Sequence, residues 1–325
     1  MNQERFEQLH QAQWQQLEQW LEARREKKRK ADNDESTAVF PHLYRQVCHH
    51  LALARERHYS NHLVERLNKL ALEGHTQLYR SRTGILMNIV RFVLVGFPVL
   101  VRRESRVFWL AALLFYGPLV AMWFTVQQWP DVAYSVMSAP QTRQYEQMYS
   151  PDRKVLGRER QADSNFYMFG VYIWNNIGIG FRTFATGLLF GLGSLFLLIF
   201  NGVVIGTVAG HLTHLGYIST FYSFVVGHSA FELTAIVISG AAGLKLGLAL
   251  IRPGRRSRLR ALREAAAISV RLIFGVILFL VIAAFIEAFW SSTTAFAPQV
   301  KYFVGGLLWL TVISYLLLMG RGRET

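Results

Sequence analysis

Cysteine and acidic residues are scarce in this 325-residue sequence. A single cysteine, Cys48, excludes an intramolecular disulfide and any metal site built from several cysteines. Asp and Glu number 21 against 35 Lys and Arg, and charged residues of both signs make up only 17% of the chain. Because 52% of the residues are hydrophobic and 25 are glycine, the composition is too apolar for an ordinary soluble domain. The chain is therefore predicted to be an integral membrane protein.

The formal net charge of +14 arises largely from basic residues that lie beside apolar segments. In that position they act as topology signals and as contacts for anionic lipid, so we expect membrane lipid and not nucleic acid as their partner. The polar, highly charged stretch 1–35 argues against a cleavable signal peptide.

Enzyme signatures are largely missing. The sequence from Gly227 to Phe231, GHSAF, begins like a nucleophile elbow but lacks its final glycine, and neither a P-loop nor an HExxH pattern occurs. Two histidine pairs, His49 with His50 and His211 with His214, are more typical of interfacial polarity than of a metal site, because neither pair stands in a recognised metal-ligand spacing. We therefore expect no catalytic activity, no cofactor and no metal.

Residues 1–105 are predicted to form a cytoplasmic region of amphipathic helices. Apolar residues recur at helical spacing within 6–21, 40–54 and 63–78, and the charged run 24–35 resembles a solvated helix end and linker. Such helices must cover their apolar faces with one another or with a partner. We expect protein partners to bind this region, and the alternative of a homo-oligomer stays open.

Residues 106–325 are predicted to form a transmembrane domain. Five apolar stretches are long enough to cross about 30 Å of hydrocarbon at about 1.5 Å per residue. They lie near 107–128, 184–210, 229–251, 265–290 and 299–320, and a further interfacial or membrane segment lies at 166–182.

Three basic clusters predict the orientation, because basic residues favour the cytoplasmic side. The clusters are Arg102, Arg103 and Arg106, then six arginines within 252–263, and finally Arg321 and Arg323. If all three share one side, both termini are cytoplasmic and 166–251 crosses an odd number of times. That stretch holds either three crossings, or one crossing with an interfacial helix and a re-entrant pair at 217–251 broken near Gly227. We expect an all-α polytopic transmembrane helical bundle with four to six crossings in a bacterial inner membrane.

Four GxxxG spacings stand in the central region. Small residues four apart let helix backbones approach closely in lipid, and packing within one chain is favoured over a homodimer face. The glycines are Gly187, Gly191, Gly202, Gly206, Gly210, Gly243 and Gly247.

Several polar side chains interrupt the apolar segments. His228 and Glu232 project from one helical face, and an ionisable side chain near a bilayer centre costs about 2.5–3.5 kcal/mol on insertion scales. One interpretation, favoured from sequence alone, is a network that holds helices in place. The other is an ion or proton path in which Glu232 and Glu287 face each other. The set comprises Asn175, Asn176, Arg182, Asn201, His228, Glu232, Lys245, Arg271 and Glu287.

Three motifs together resemble the stage II sporulation protein M family of integral membrane proteins: FGVYIWNNIGIGFRTFATGLLFGLGS, IFNGVVIGTVAG and VVGHSAFELTAIVISGAAGLKLG. The likeness covers about 80–320. The stretches LYRQVCHHLALARER, LVERLNKLALEGHTQLYR and FPVLVRR resemble the form of this family found in bacteria that do not sporulate. The family usually places Pro-His-Gly before the glutamate, whereas this chain has Gly227-His228-Ser229, so Gly227 would have to supply a helix break.

The resemblance implies a non-enzymatic membrane scaffold or assembly component of an envelope complex, because the namesake recruits peptidoglycan-degrading partners in spore-forming bacteria. The alternative is a channel or transporter for an ion or small solute, with a path lined by Asn175, Asn176, His228, Glu232 and Glu287. A continuous hydrated path that reaches Glu232 would favour transport, and a dry, fully paired network would favour the scaffold.

Overall fold

The computed structural model describes residues 1–26, 40–79, 82–153, 155–158 and 164–322. Every regular element in these ranges is helical, which confirms the predicted all-α class. The chain forms two compact units, Met1–Val90 and Arg91–Thr325. The boundary lies earlier than the predicted 105, because Phe97 and Val101 are buried in the core of the second unit.

The first unit is built from amphipathic helices, as the apolar spacing predicts. The helices are α1 (Gln3–Glu26), α2 (Phe40–Glu56), α3 (Asn61–Tyr79) and all but the last residue of α4 (Arg82–Arg91). Phe6, Trp14 and Leu17 of α1 pack against Val47 of α2 and Leu67 of α3, and these five side chains are fully buried. Most of the charged run 24–35, the predicted helix end and linker, lies outside the described residues.

His50 lies inside this core and is 5% exposed. Its Nδ1 accepts a hydrogen bond of 3.1 Å from the Trp14 indole nitrogen, and its ring lies 3.9 Å from that of His10 between centroids. Burial, with the neighbouring charges of His10 and then His49, lowers the pKa of His50 to about 4. The imidazole is therefore neutral near pH 7, and protonation of Nδ1 would remove its capacity to accept from Trp14.

We expect the first unit to lose stability as the pH falls from about 6.5 to about 4. The unfolded chain binds a proton at His50 near its ordinary pKa of 6.5, whereas the folded chain does so only near 4. Between these values the unfolded state binds more protons, so the free energy of unfolding falls by up to about 3 kcal/mol as the pH falls. Hydrogen exchange of residues 3–22 in the full chain, corrected for intrinsic rates, measures this loss.

His50→Gln is the matched control for that experiment, because its amide oxygen can still accept from Trp14 but does not titrate. The variant should show a flatter pH dependence than the wild type. Protection of residues 3–22 that is unchanged between pH 7 and pH 4 in the wild type would contradict the assignment.

The second unit is a bundle of long apolar helices. Five helices are long and apolar enough to cross a membrane, which confirms the polytopic prediction. They are α6 (Ser105–Gln128), α10 (Leu192–His214), α11 (Ile218–Ile251), α12 (Arg258–Ile286, continued by a π-helical turn at Glu287–Ser291) and α13 (Pro298–Leu318). The remaining helices are α5 (Phe97–Arg103), α7 (Ala133–Val136), α8 (Ala139–Tyr149) and α9 (Asn165–Ala185).

Of the two alternatives for this region, the re-entrant pair at 217–251 is wrong, because Ile218–Ile251 is a single helix of 34 residues. Gly227 does not break this helix. A Cβ atom at Gly227 would lie 3.1 Å from Trp290 Cδ1 and 3.2 Å from Ser291 Oγ. The glycine therefore makes room for the end of α12 against α11.

The predicted span 184–210 also begins later than expected, at Leu192. A 3₁₀ turn, Thr186–Leu188, follows α9, and Gly191 adopts a left-handed φ of 81° directly before α10. Such a φ strains any side chain larger than glycine, so this position allows the chain to reverse between α9 and α10.

Glycines of α10 lie against the backbone of α6. A Cβ atom would lie 2.3 Å from the Phe115 carbonyl oxygen at Gly202 and 2.2 Å from that of Leu119 at Gly206. Gly210 approaches the next part of α6. The contacts advance along both helices in the same direction, so α6 and α10 run parallel.

The other GxxxG glycines lie where the turn before α10 meets α11. A Cβ at Gly187 would lie 2.2 Å from the Gly243 carbonyl oxygen, and one at Gly247 would lie 2.2 Å from the Gly191 nitrogen. Together with the α10 glycines, all seven of the predicted packing glycines lie against another segment of the same chain.

Helix α9 runs along α11 and α12. Near its start Met168 and Tyr172 pack with Ala284 and Ala288 at the end of α12, and the turn after its end reaches Gly243. Its 21 residues correspond to about 31 Å at about 1.5 Å per residue. The helix thus extends along much of the height of the bundle.

The described residues of 129–158, here called the cap, cover one end of the bundle. The Leu156 amide donates to the Ser292 carbonyl at 3.1 Å, and Thr220 Oγ1 donates to the Tyr149 carbonyl at 2.6 Å. Glu146 Oε1 lies 2.8 Å from Nε2 of His211, in the last turn of α10. These contacts fix the cap over α10, α11 and the end of α12.

Candidate functional site

The candidate site is built where α12 changes from an α-helix to the π-helical turn Glu287–Ser291. π-Helical turns are rare in proteins, and many of those that are found lie at functional sites. Both ends of the turn face α11: Ser291 Oγ lies 3.0 Å from His228 Nδ1, and Glu287 lies beside His228 and Glu232. The turn therefore brings two helices together through polar side chains.

His228, Glu232 and Glu287 form a compact group of ionisable side chains. Each offers one nitrogen or oxygen atom, and these atoms all lie within 4.8 Å of one another. His228 Nε2 and Glu232 Oε2, one helical turn apart on α11, are separated by 3.8 Å. His228 is 6% exposed and Glu287 is 9% exposed.

A chain of amide hydrogen bonds leads from this group toward the surface. Asn176 Nδ2 donates to Glu287 Oε2 at 3.4 Å, and Asn175 Nδ2 donates to Asn176 Oδ1 at 2.9 Å. Arg158 Nη2 donates to Asn175 Oδ1 at 3.1 Å. The Asn-Asn pair of the sequence motif thus links a guanidinium group of the cap to a buried carboxyl group.

These side chains line a cavity of about 770 Å³ between the cap and helices α9, α10, α11 and α12. Gln144, Arg158 and Tyr167 line it and are exposed, so they mark the end at which the cavity reaches the surface. Its deepest α11 residues are Glu232 and Leu233, and residues 234–244 beyond them are buried. The cavity is therefore a blind pocket that opens on the cap side.

Tyr149 closes part of the cavity wall from the cap. Burial, with an added contribution from Glu287, raises the pKa of this phenol well above its ordinary value. The side chain is therefore neutral at physiological pH.

Four members of the predicted polar set lie away from this cavity. Arg182 and Asn201 bond to carbonyl oxygens of their own helices, at 3.1 Å to Gly178 and 2.7 Å to Leu197. Lys245 Nζ donates to Glu104 Oε2 at 2.7 Å, and Arg271 is exposed. For these residues the structure fits the helix-holding or interfacial interpretation.

In each histidine pair considered from sequence, one histidine contacts a residue outside the pair. His50 accepts from Trp14 inside the first unit, and His211 pairs with Glu146 of the cap. Within the described ranges, the group of three side chains with metal-ligand chemistry is His228, Glu232 and Glu287. Sequence reasoning named all three members as polar residues without assigning them a metal.

Sequence reasoning missed three participants of the site. Arg158 lies in a connection between apolar segments, and Ser291 begins a stretch that reads as an uncharged loop. Lys301 is 2% exposed, and its Nζ donates to the carbonyl oxygens of Ser291 at 2.8 Å and Thr293 at 2.5 Å. The sequence does contain one signal for Lys301, which is a lysine at the beginning of an apolar span.

The fold and the cavity define a polytopic helical membrane protein with a polar pocket inside its bundle. Within that class, the chain belongs to the stage II sporulation protein M family, whose family model matches residues 111–292. This range contains every residue of the ionisable group and confirms the resemblance seen in the motifs. A second family model, a domain of unknown function (DUF8413), matches residues 4–80 in the first unit.

An uncharacterised protein of Methanocaldococcus jannaschii is 28% identical over 132 residues, which cover 38% of this chain and 70% of that protein. No solved structure matches this chain.

Proposed function

We propose that the membrane domain binds an ion or small polar solute in the cavity and carries it across the membrane. The observation that supports this role is that the cavity reaches Glu232, since a dry, fully paired network would have favoured a purely structural role. Asn175, Asn176, His228 and Glu287 also line the cavity, and these are the side chains that the transport alternative requires.

The shape of the cavity supports a carrier more than an open channel. Glu232 lies about 21 Å along α11 from Ile218 at about 1.5 Å per residue, which is deep within the bundle. Carriers bind substrate near the membrane midplane and expose that site to one side at a time. A blind pocket that ends at Glu232 matches one such state.

The proposed topology has six membrane helices, with both termini on the cytoplasmic side of a bacterial inner membrane. The five apolar helices alone would place the cluster at Arg102 and the one at Arg321 on opposite sides. Counting α9 as a sixth crossing returns all three basic clusters to one side, as the positive-inside rule favours. The length of α9 and the parallel course of α6 and α10 support this count, and the cavity then opens away from the cytoplasm.

The second candidate is the non-enzymatic scaffold or assembly component of an envelope complex. The observation in its favour is that Met1–Val90 forms a compact unit with its own hydrophobic core and its own family match. Such a unit is suited to bind protein partners independently of the cavity. A partner recovered equally with wild-type protein and Glu232→Gln in mild detergent would support this role.

The test of transport is ion flux into proteoliposomes that contain the purified full chain. Wild-type protein should carry a cation, and Glu232→Gln should reduce the flux to that of protein-free liposomes, because the variant keeps the shape of the side chain but removes its charge. Glu264→Gln, which alters the ion pair of Glu264 with Arg260 outside the cavity, is the matched control. Absence of flux from the wild type, or full flux from Glu232→Gln, would contradict the proposal.

A further inference from the structure

We propose that the cavity binds a divalent transition-metal cation through His228, Glu232 and Glu287. This inference rests on the proposed role of the cavity as a binding site and names the class of ligand. One imidazole nitrogen and two carboxylate oxygens suit Zn²⁺ and other first-row divalent metals, whereas Mg²⁺ and Ca²⁺ favour oxygen ligands alone.

The three candidate ligand atoms are already close to one another. They all lie within 4.8 Å, and His228 Nε2 is 3.8 Å from Glu232 Oε2. A zinc ion holds nitrogen and oxygen ligands at about 2.0–2.2 Å, which places neighbouring ligand atoms about 3.4 Å apart in a tetrahedral site. Small side-chain movements, on the order of an ångström, would complete the coordination.

His228 is oriented as a metal-binding histidine would be. It is 6% exposed, and its Nδ1 shares a hydrogen bond of 3.0 Å with Ser291 Oγ. Its Nε2 faces the carboxyl groups, and the Glu232 oxygen at 3.8 Å is beyond hydrogen-bond distance. In metal sites a histidine uses one ring nitrogen to fix its tautomer and presents the other to the ion.

Glu287, like His228, is held in place by a residue that is not itself a proposed metal ligand. Asn176 donates to its Oε2 at 3.4 Å and is itself bonded by Asn175. Ligating carboxylates are commonly held by such hydrogen bonds, which orient one oxygen and leave the other available for the metal. The family motif with two asparagines therefore acquires a role as the outer support of the site.

The balance of charge also favours a dication. Arg158, the one Lys or Arg among the described residues that line the cavity, donates to the amide oxygen of Asn175 and interacts with Glu232 and Glu287 through space, so a single positive charge faces two carboxyl groups. Lys301 donates to the carbonyl oxygens of Ser291 and Thr293. Because two carboxylates in a membrane interior are costly unless both charges are offset, and one distant guanidinium cannot offset both, a divalent ion between them would supply the missing positive charge.

Zinc binding to the full-length protein tests this site. The protein is purified in detergent through a tag without histidine, stripped with a chelator and titrated with Zn²⁺ by calorimetry, while Co²⁺ provides a visible absorption signal for the coordination geometry. We expect one saturable ion per chain. Glu232→Gln and Glu287→Gln should each weaken binding by at least about 100-fold, and Ser291→Ala, which only frees the histidine ring, should weaken it by about 10-fold.

Glu146→Gln is the matched control, because Glu146 belongs to the other histidine and glutamate pair, with His211 at 2.8 Å. It should bind Zn²⁺ as the wild type does. Thermal midpoints measured without metal show whether each variant is folded, and the moderate Ser291→Ala change gives a readout even if a glutamate variant is unstable.

The outcomes separate the metal site from the transport function. The metal site would be overturned if the wild type showed no saturable Zn²⁺ binding. It would also be overturned if the Glu232→Gln, Glu287→Gln and Ser291→Ala variants were folded and bound Zn²⁺ with unchanged affinity. Flux of another ion that depends on Glu232, without Zn²⁺ binding, would refute the metal site and leave transport standing. Saturable Zn²⁺ binding at these residues without flux of any ion would support the metal site and refute transport.

Discussion

Gly206→Val is expected to destabilise the membrane domain strongly. The Cβ atom of any larger residue would lie 2.2 Å from the Leu119 carbonyl oxygen and 2.9 Å from the Leu119 Cα. Because both are backbone atoms of α6, a side-chain rotation cannot relieve the overlap and the two helices must separate. Overpacking commonly costs about 1–3 kcal/mol, and the close backbone contact places this variant at or above about 3 kcal/mol.

Gly306→Val is the matched control. Gly306 lies on α13, and its added Cβ would meet no atom within 4 Å, so the same change should alter stability by less than about 0.5 kcal/mol. Thermal unfolding in detergent compares the two, and a loss of 3 kcal/mol corresponds to a fall of roughly 6–12 °C in Tm for a domain of this size. Similar Tm values for both variants would show that α6 and α10 do not pack as described.

The glycine spacing allowed close packing to be predicted from sequence, but not the partner of each glycine. A GxxxG motif indicates a face over which a backbone can approach. Only the structure shows that Gly202 and Gly206 face α6 while Gly187 faces Gly243. The helix break expected at Gly227 does not occur, and the reason is again a contact with a distant residue. The glycine accommodates Trp290 and Ser291, and such a contact with another helix cannot be read from the neighbouring sequence.

The candidate site could be predicted in part. The spacing of His228 and Glu232 places them on one helical face, and their position in an apolar stretch identified them as unusual. Glu287 could be named as a second intramembrane acid, but its proximity to them depends on the packing of α12 on α11 and on the π-helical turn. Arg158 and Lys301 reach the site from loops and helix ends, where a basic residue ordinarily indicates only an interface.

The setting of the polar pair could not be predicted from the sequence. His228 and Glu232 lie at the deep end of a polar cavity, where Glu287 and two asparagines complete the surroundings. We propose that this cavity admits water and solutes from the cap side alone.

Cysteine accessibility tests this claim directly, because Cys48 is the one native cysteine and Cys48→Ser gives a cysteine-free background. In that background, Val171→Cys places a thiol on the cavity wall. Trp174→Cys places one on the same helix at an exposed position, since Trp174 is 85% exposed and faces lipid in the proposed orientation. Gln144→Cys at the cavity mouth is the positive control for a membrane-impermeant, charged thiol reagent.

Val171→Cys is expected to react at a rate comparable to Gln144→Cys when the reagent is applied from the cap side. Val171→Cys should not react from the opposite side, and Trp174→Cys should not react from either side. A Val171→Cys thiol that is unreactive from both sides, or that reacts from the side of Arg102 and Arg103, would contradict the one-sided polar cavity.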